Sequence, residues 1–152
     1  MKTIKVVIMI ITAGILLSCT GTGTGSGSGS GSGGTVYLSQ EDFIKKVFNY
    51  KQNGEWRYLG DKPAVIDFYA DWCKPCKMVS PIMEELAKQY EGKVIFYKMN
   101  VDKEKELAAA FQIQSIPTLL FIPAQGQPQA SIGVQSKEDY IKIIESTLIS
   151  SN

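Results

Sequence analysis

The chain has 152 residues, with 16 Lys and Arg against 15 Asp and Glu, no histidine and three cysteines. A formal charge of +1 gives no electrostatic footing for a polyanion, so no nucleic-acid partner is expected, and pairs such as Lys45-Lys46 read as solvated helix faces. The lack of histidine excludes Ser-His and Cys-His hydrolytic chemistry, and Lys77 directly after the CxxC pair excludes haem attachment of the CxxCH kind.

Lys2 and Lys5, an apolar run from Val6 to Leu17 and the box Leu16-Leu17-Ser18-Cys19 mark residues 1–18 as a processing segment. The run is about a dozen residues, short of the roughly 20 that span a bilayer as a helix, which favours a lipid anchor over a transmembrane one. The pattern resembles a bacterial lipoprotein signal. That resemblance implies cleavage before Cys19, lipid on Cys19, and a place in the cell envelope, held to a membrane and facing the periplasm. Loss of Lys2 and Lys5 would take the formal charge from +1 to −1. After Cys19, residues 20–34 are nearly all Gly, Ser and Thr. Such a composition buries no apolar surface and behaves as flexible coil with a mean reach of roughly 20 Å. Residues 19–34 therefore read as a lipidated cysteine and tether, useful to an anchored enzyme that must reach large proteins; an engineered linker would have the same composition.

Residues 35–152 are enough for one domain with a real core and too few for two. Thr35 to Leu38 is β-prone, and Ser39-x-x-Asp42 starts a helix with Phe43, Ile44, Val47 and Phe48 on one face. Asn49 to Pro63 is a polar connection with turn signals, whose Trp56 and Tyr58 are expected to cap the core beneath. Ala64 to Ala70 lacks alternation, as a strand covered on both faces should. Asp67 within it is anomalous: a buried carboxylate is costly unless paired, so it either meets solvent near the strand end or serves chemistry near the cysteines.

Trp72-Cys73-Lys74-Pro75-Cys76-Lys77 then joins that strand to a helix from Lys77 to Tyr90, with Met78, Ile82, Met83, Leu86 and Tyr90 expected inward. At a helix start, free N–H groups and the positive dipole end favour a thiolate on the first cysteine, so Cys73 is the candidate nucleophile. Cys76, one turn on, is the candidate resolving thiol. Pro75 in the first turn costs little, Pro81 in the interior is expected to kink the helix, and Gly92 ends it. Val94 to Met99 is a strand whose Lys98 could pair with Asp67 from a neighbouring strand. Glu104 to Phe111 is a short helix. Ser115-Ile116-Pro117-Thr118 precedes an apolar strand, Leu119 to Ile122, and its proline marks a strand start or bend. Gln129 to Ile132 is a last strand, and Ser136-x-x-Asp139 starts a closing helix with Tyr140, Ile141, Ile144 and Leu148 inward. The order β-α-β-α-β-α-β-β-α describes an α/β fold with a central mixed sheet flanked by helices.

One CxxC supplies two of the four ligands of structural zinc, and a disulfide closing so small a loop would constrain little, which leaves redox chemistry as the leading use of the pair. With Trp72 before CxxC, Asp67 in the preceding strand, Lys98 in the next, Ile116-Pro117-Thr118, and Gly133 after the last strand, the chain from Thr35 onward resembles a thioredoxin. The resemblance implies the thioredoxin fold, no cofactor beyond the Cys73–Cys76 disulfide, and no metal. It makes Cys73 the attacking thiolate, Cys76 the resolving thiol and Asp67 an aid to proton transfer at Cys76 through water, with Lys98 beside them. Pro117 would be a cis-proline, the backbone of Ile116 would pair with a substrate chain, and Trp72, Lys74, Pro75 and Gly133 would meet the substrate. Lys74-Pro75 departs from the usual Gly-Pro, and its charge should lower the Cys73 pKa further. The connection around Trp56 is longer than in a minimal thioredoxin.

The implied activity is thiol-disulfide exchange on protein disulfides, by a monomer recharged by a membrane thiol carrier, with reduction placed first. Donating or reshuffling disulfides would use the same site with other electron flow. A non-catalytic binding module is disfavoured by the presence of Cys73, Cys76, Asp67 and Pro117.

Overall fold

The computed structural model describes residues 33–150, so the processing segment, Cys19 and most of the tether lie outside the described residues. The strands are β1 (Val36–Tyr37), β2 (Ala64–Tyr69), β3 (Ile95–Asn100), β4 (Thr118–Ile122) and β5 (Gln129–Ile132). The helices are α1 (Gln40–Lys46), α2 (Cys76–Gln89), α3 (Lys105–Ala110) and α4 (Lys137–Ile143), the last continuing as a π-helix over Ile144–Ile149. The sheet runs β1-β3-β2-β4-β5, with β1, β3 and β2 parallel and β4 and β5 joined antiparallel.

Local chemistry explains the boundaries. Ser39 and Ser136 cap α1 and α4, each side chain accepting the N–H three residues on, from Asp42 and Asp139, which satisfies a donor left free at a helix start. Gly92, at φ 78°, takes the left-handed conformation just past α2. The final helix departs from expectation by widening: Ser146 and Ser150 hydroxyls donate back to the Lys142 and Glu145 carbonyls, each at 2.7 Å, and the Ser150 N–H reaches Glu145. Such back-bonding competes with the regular ladder.

Because side chains alternate across a strand, the central sheet has two packed faces. Val65, Phe96, Leu119 and Phe121 meet Val79, Met83 and Leu86 of α2 and Tyr140, Ile144 and Leu148 of the closing helix. Ile66, Phe68, Met99, Leu120 and Ile122 meet Phe43 of α1, neighbouring Val47 and Leu107 of α3. Each fully buried apolar side chain contributes roughly 1.5 to 3 kcal/mol. Trp56 packs at a tilt against Phe48 with centroids 4.8 Å apart and meets Phe111 edge-on, so the Asn49–Pro63 connection roofs this second core.

Met78 corrects the sequence reading, since it is 62% exposed. Val79, Met83, Leu86 and Tyr90 form the buried stripe of α2, and Met78 sits one residue, about 100°, off it.

Candidate active site

β2 is hydrogen-bonded on both edges, to β3 and to β4, so its C-terminal end is held firmly where the chain turns into the CxxC segment. The Cys73 N–H bonds the Ala70 carbonyl at 3.1 Å, and the Lys77 N–H reaches the Cys73 and Lys74 carbonyls at 3.4 and 3.2 Å. The helical turn thus starts at Cys73, with Pro75 as the residue before α2 proper. Cys73 and Cys76 are joined by a disulfide with Cα atoms 5.3 Å apart. The Cys76 N–H donates to Cys73 Sγ at 3.2 Å. This is a side-chain cap made by sulfur, and the same N–H and the helix dipole would stabilise a Cys73 thiolate once the disulfide opens.

Both cysteines are buried, at 3% exposure each, and a rim of exposed residues surrounds them. Trp72, Lys74 and Pro75 are exposed on the CxxC segment. Trp72 is fixed by its indole N–H, which donates to Asp102 at 2.8 Å, while the Asp102 N–H donates to the buried Asn100 side chain at 2.9 Å. The Ile116–Pro117 bond is cis, and Cys73 Sγ lies 3.8 Å from the Ile116 carbonyl oxygen. The Gly133 N–H donates to the Pro117 carbonyl at 2.8 Å. Gly133 has φ 85° with open space where a Cβ would stand, so backbone conformation, not crowding, favours glycine there. Exposed Ile132 and Val134 flank it and extend the apolar rim.

Asp67 follows Val65 by two residues and so leaves β2 on the α2 side. It is 4% exposed, and Oδ1 has no hydrogen-bond partner among the described residues. It lines a cavity of about 170 Å³ with Tyr69, Ala70, Asp71, Cys76, Lys77, Ser80 and Lys98. That space is large enough for water between the carboxyl and Cys76. Burial pushes the Asp67 carboxyl up from its ordinary 3.8 to about 7, against the opposing pull of Lys98. Lys98 is opposite Asp67 in the strand register, yet the expected pair is replaced by another: its Nζ lies 3.6 Å from Glu84 of α2. Glu84 competes because a helix side chain one turn out is nearer the solvent-facing ammonium.

Sequence reasoning thus names the cysteines, Asp67, Pro117 and Gly133, which the fold brings together. It misses Asp102, Asn100, Glu84, Ile132 and Val134. The polar pair Asn100-x-Asp102 at the C-terminal end of a strand carries a signal, since α/β sheets place sites there; Glu84 carries none. Among the described residues no cluster of His, Cys, Asp and Glu could hold a metal.

The raised Asp67 pKa fixes a sign. Between pH 4 and 7 the folded chain keeps a proton that the unfolded chain has released, so this group's stabilising contribution is present below about 4 and lost as pH rises through 7. The displacement corresponds to as much as roughly 4 kcal/mol. Asp67→Asn, which does not titrate, is expected to gain stability over the parent by a few kcal/mol between pH 4 and pH 8. Urea unfolding of both proteins with the disulfide intact measures this; a difference that does not change with pH would refute it.

The Thioredoxin family profile matches residues 35–146. A thioredoxin of Borreliella burgdorferi is 50% identical over 110 residues, 72% of this chain and 94% of that protein. A chloroplastic M-type thioredoxin of Spinacia oleracea is 41% identical over 116 residues, 75% of this chain and 64% of that protein. A thioredoxin of Staphylococcus saprophyticus is 44% identical over 85 residues, 55% of this chain and 81% of that protein. With its two thiols joined at the head of α2, this chain belongs to the thioredoxin family and is a thiol-disulfide oxidoreductase whose redox group is the Cys73–Cys76 pair.

Proposed function

We propose that the chain is a lipid-anchored reductase of protein disulfides in the bacterial envelope, recharged by a membrane thiol carrier. The observation that carries the redox half is the Cys73–Cys76 disulfide at a helix start, facing the cis Ile116–Pro117 loop and backed by the Asp67 cavity. The charged start, short apolar run and Leu-Leu-Ser-Cys box support the anchor.

In the reduced enzyme the Cys73 thiolate attacks one sulfur of a substrate disulfide. The substrate S–S bond breaks, its second sulfur leaves as a thiolate and takes a proton from solvent, and a mixed disulfide joins Cys73 to the substrate. Cys76 then gives its proton, through water in the cavity, to the Asp67 carboxylate and attacks Cys73 Sγ. The mixed disulfide breaks, the substrate leaves with the sulfur that Cys73 had attacked as a thiolate, and two electrons have passed from the Cys73–Cys76 dithiol to the substrate. A carrier dithiol restores the enzyme by the same exchange in reverse. An acceptor near pKa 7 suits this transfer, because about half of it is ionised at neutral pH and can take the proton, while the protonated form gives it up again readily. During attack the exposed edges at Trp72 and at Ile132 to Val134 would seat the substrate on either side of Cys73.

Reduction is favoured over donation because the site lacks the histidine between the cysteines that makes some relatives strong oxidants, and Pro75 keeps its place before Cys76. Lys74 should raise the potential modestly by favouring the thiolate.

Cys73→Ser is expected to abolish turnover, while Cys76→Ser retains attack and accumulates mixed disulfides, resolved by non-reducing electrophoresis; trapping by Cys73→Ser instead would reverse the roles. The reduction potential, from equilibration with glutathione, is expected nearer the roughly −270 mV of thioredoxin than the roughly −120 mV of the strongest periplasmic oxidants. A value near the latter would make disulfide donation the better reading. For the anchor, mass spectrometry of membrane-fraction protein is expected to find an acylated Cys19 at the N-terminus and no residues 1–18. An intact Met1 in the mature protein would overturn it.

A further inference from the structure

Asp67 and Lys98 are register partners on adjacent parallel strands and line the same cavity. Opposite charges so placed are the ones expected to pair, yet Lys98 Nζ lies 3.6 Å from Glu84 Oε1, and Asp67 Oδ1 has no partner among the described residues. Glu84 is itself held from a third direction. The Thr35 N–H donates to its Oε2 at 3.1 Å, and the Thr35 hydroxyl donates to its Oε1. Burial alone would raise the Glu84 pKa, but the Thr35 hydroxyl and N–H and the Lys98 ammonium outweigh it and hold the carboxyl below its usual range. Glu84 is therefore a fixed, partly exposed anion, bound both to Thr35 at the start of the domain and to the lysine that lines the cavity.

We propose that Glu84 is a positioning residue for proton transfer at Cys76: fixed by Thr35, it holds the Lys98 ammonium away from Asp67 and keeps that carboxyl free of a contact ion pair. With Glu84 removed, Lys98 can turn inward along the register and pair with Asp67, which favours the carboxylate and makes it a weaker proton acceptor. The other groups facing Asp67 stay in place. These are Tyr69 of β2, Asp71 after it, Cys76 and Lys77 of α2, and Tyr140 of α4, whose own pKa is raised by burial and by the nearby Asp67 charge against the Gln135 N–H. The inference rests on the reading of Asp67 as the proton acceptor, but its test does not.

The experiment follows the Asp67 carboxyl by 13C NMR against pH in the full chain with the disulfide intact, the signal assigned by its loss in Asp67→Asn. Glu84→Gln is expected to lower the Asp67 midpoint by at least about half a pH unit, a threefold change in proton affinity. In a Lys98→Met background the same Glu84→Gln change is expected to leave the midpoint where Lys98→Met put it. Thr35→Val, which removes one of the two bonds to Glu84, is expected to lower it by less. A smaller fall or a rise in Glu84→Gln overturns the proposal. So does an undiminished fall in the Lys98→Met background, which would mean that Glu84 acts on Asp67 by its own charge. Turnover of Asp67→Asn across the pH range separates the two ideas: unchanged rates would remove Asp67 from proton transfer while leaving the NMR result to decide the role of Glu84.

Discussion

The site depends on β2 being hydrogen-bonded along both edges and buried on both faces. A strand so held has no freedom to slip, because a one-residue shift would turn Val65 and Asp67 toward α1 and α3 and drive Ile66 and Phe68 against α2. Its register with β3 and β4 therefore fixes three things together. It aims the chain into the CxxC turn at Ala70, places Asp67 beneath the first turn of α2, and sets the loop before β4, with its cis Ile116–Pro117 bond, against Cys73.

On that frame the active centre conflicts with stability. A carboxylate without a contact partner in a buried cavity opposes folding at neutral pH, and the cost is carried by two well-packed cores and a five-stranded sheet. Local rules broken in this way concentrate where chemistry is done. The neighbouring polar groups follow another pattern. Trp72 is tied to Asp102, Gly133 to Pro117, and Glu84 to Thr35 and Lys98. The rim is held by bonds while Asp67 Oδ1 is left without a partner among the described residues.

The long connection from Asn49 to Pro63 is accounted for by packing. Trp56 and Phe48 close over Phe111 at the edge of the second core, on the side of the sheet away from Asp67. Its aromatic residues Trp56 and Tyr58 pack against the core on the α1 side.

What the sequence by itself determined was periodicity and punctuation. Alternation, capping serines at Ser39 and Ser136, and turn residues located the strands and helices to within a residue or two, and CxxC after an apolar strand located the redox pair. The anomalous Asp67 was visible because a charge in an apolar run stands out without any knowledge of neighbours. Only the tertiary structure decided which side of α2 is buried, since Met78 and Val79 are both apolar and adjacent and the sheet selects one. It alone decided that Lys98 meets Glu84, that Asp102 holds Trp72, and that Ile132 and Val134 border the site. Those contacts join residues far apart in the chain, and the carboxylates of Asp67 and Glu84 compete for the one ammonium of Lys98 by distance and solvation, quantities that spacing along a sequence does not contain.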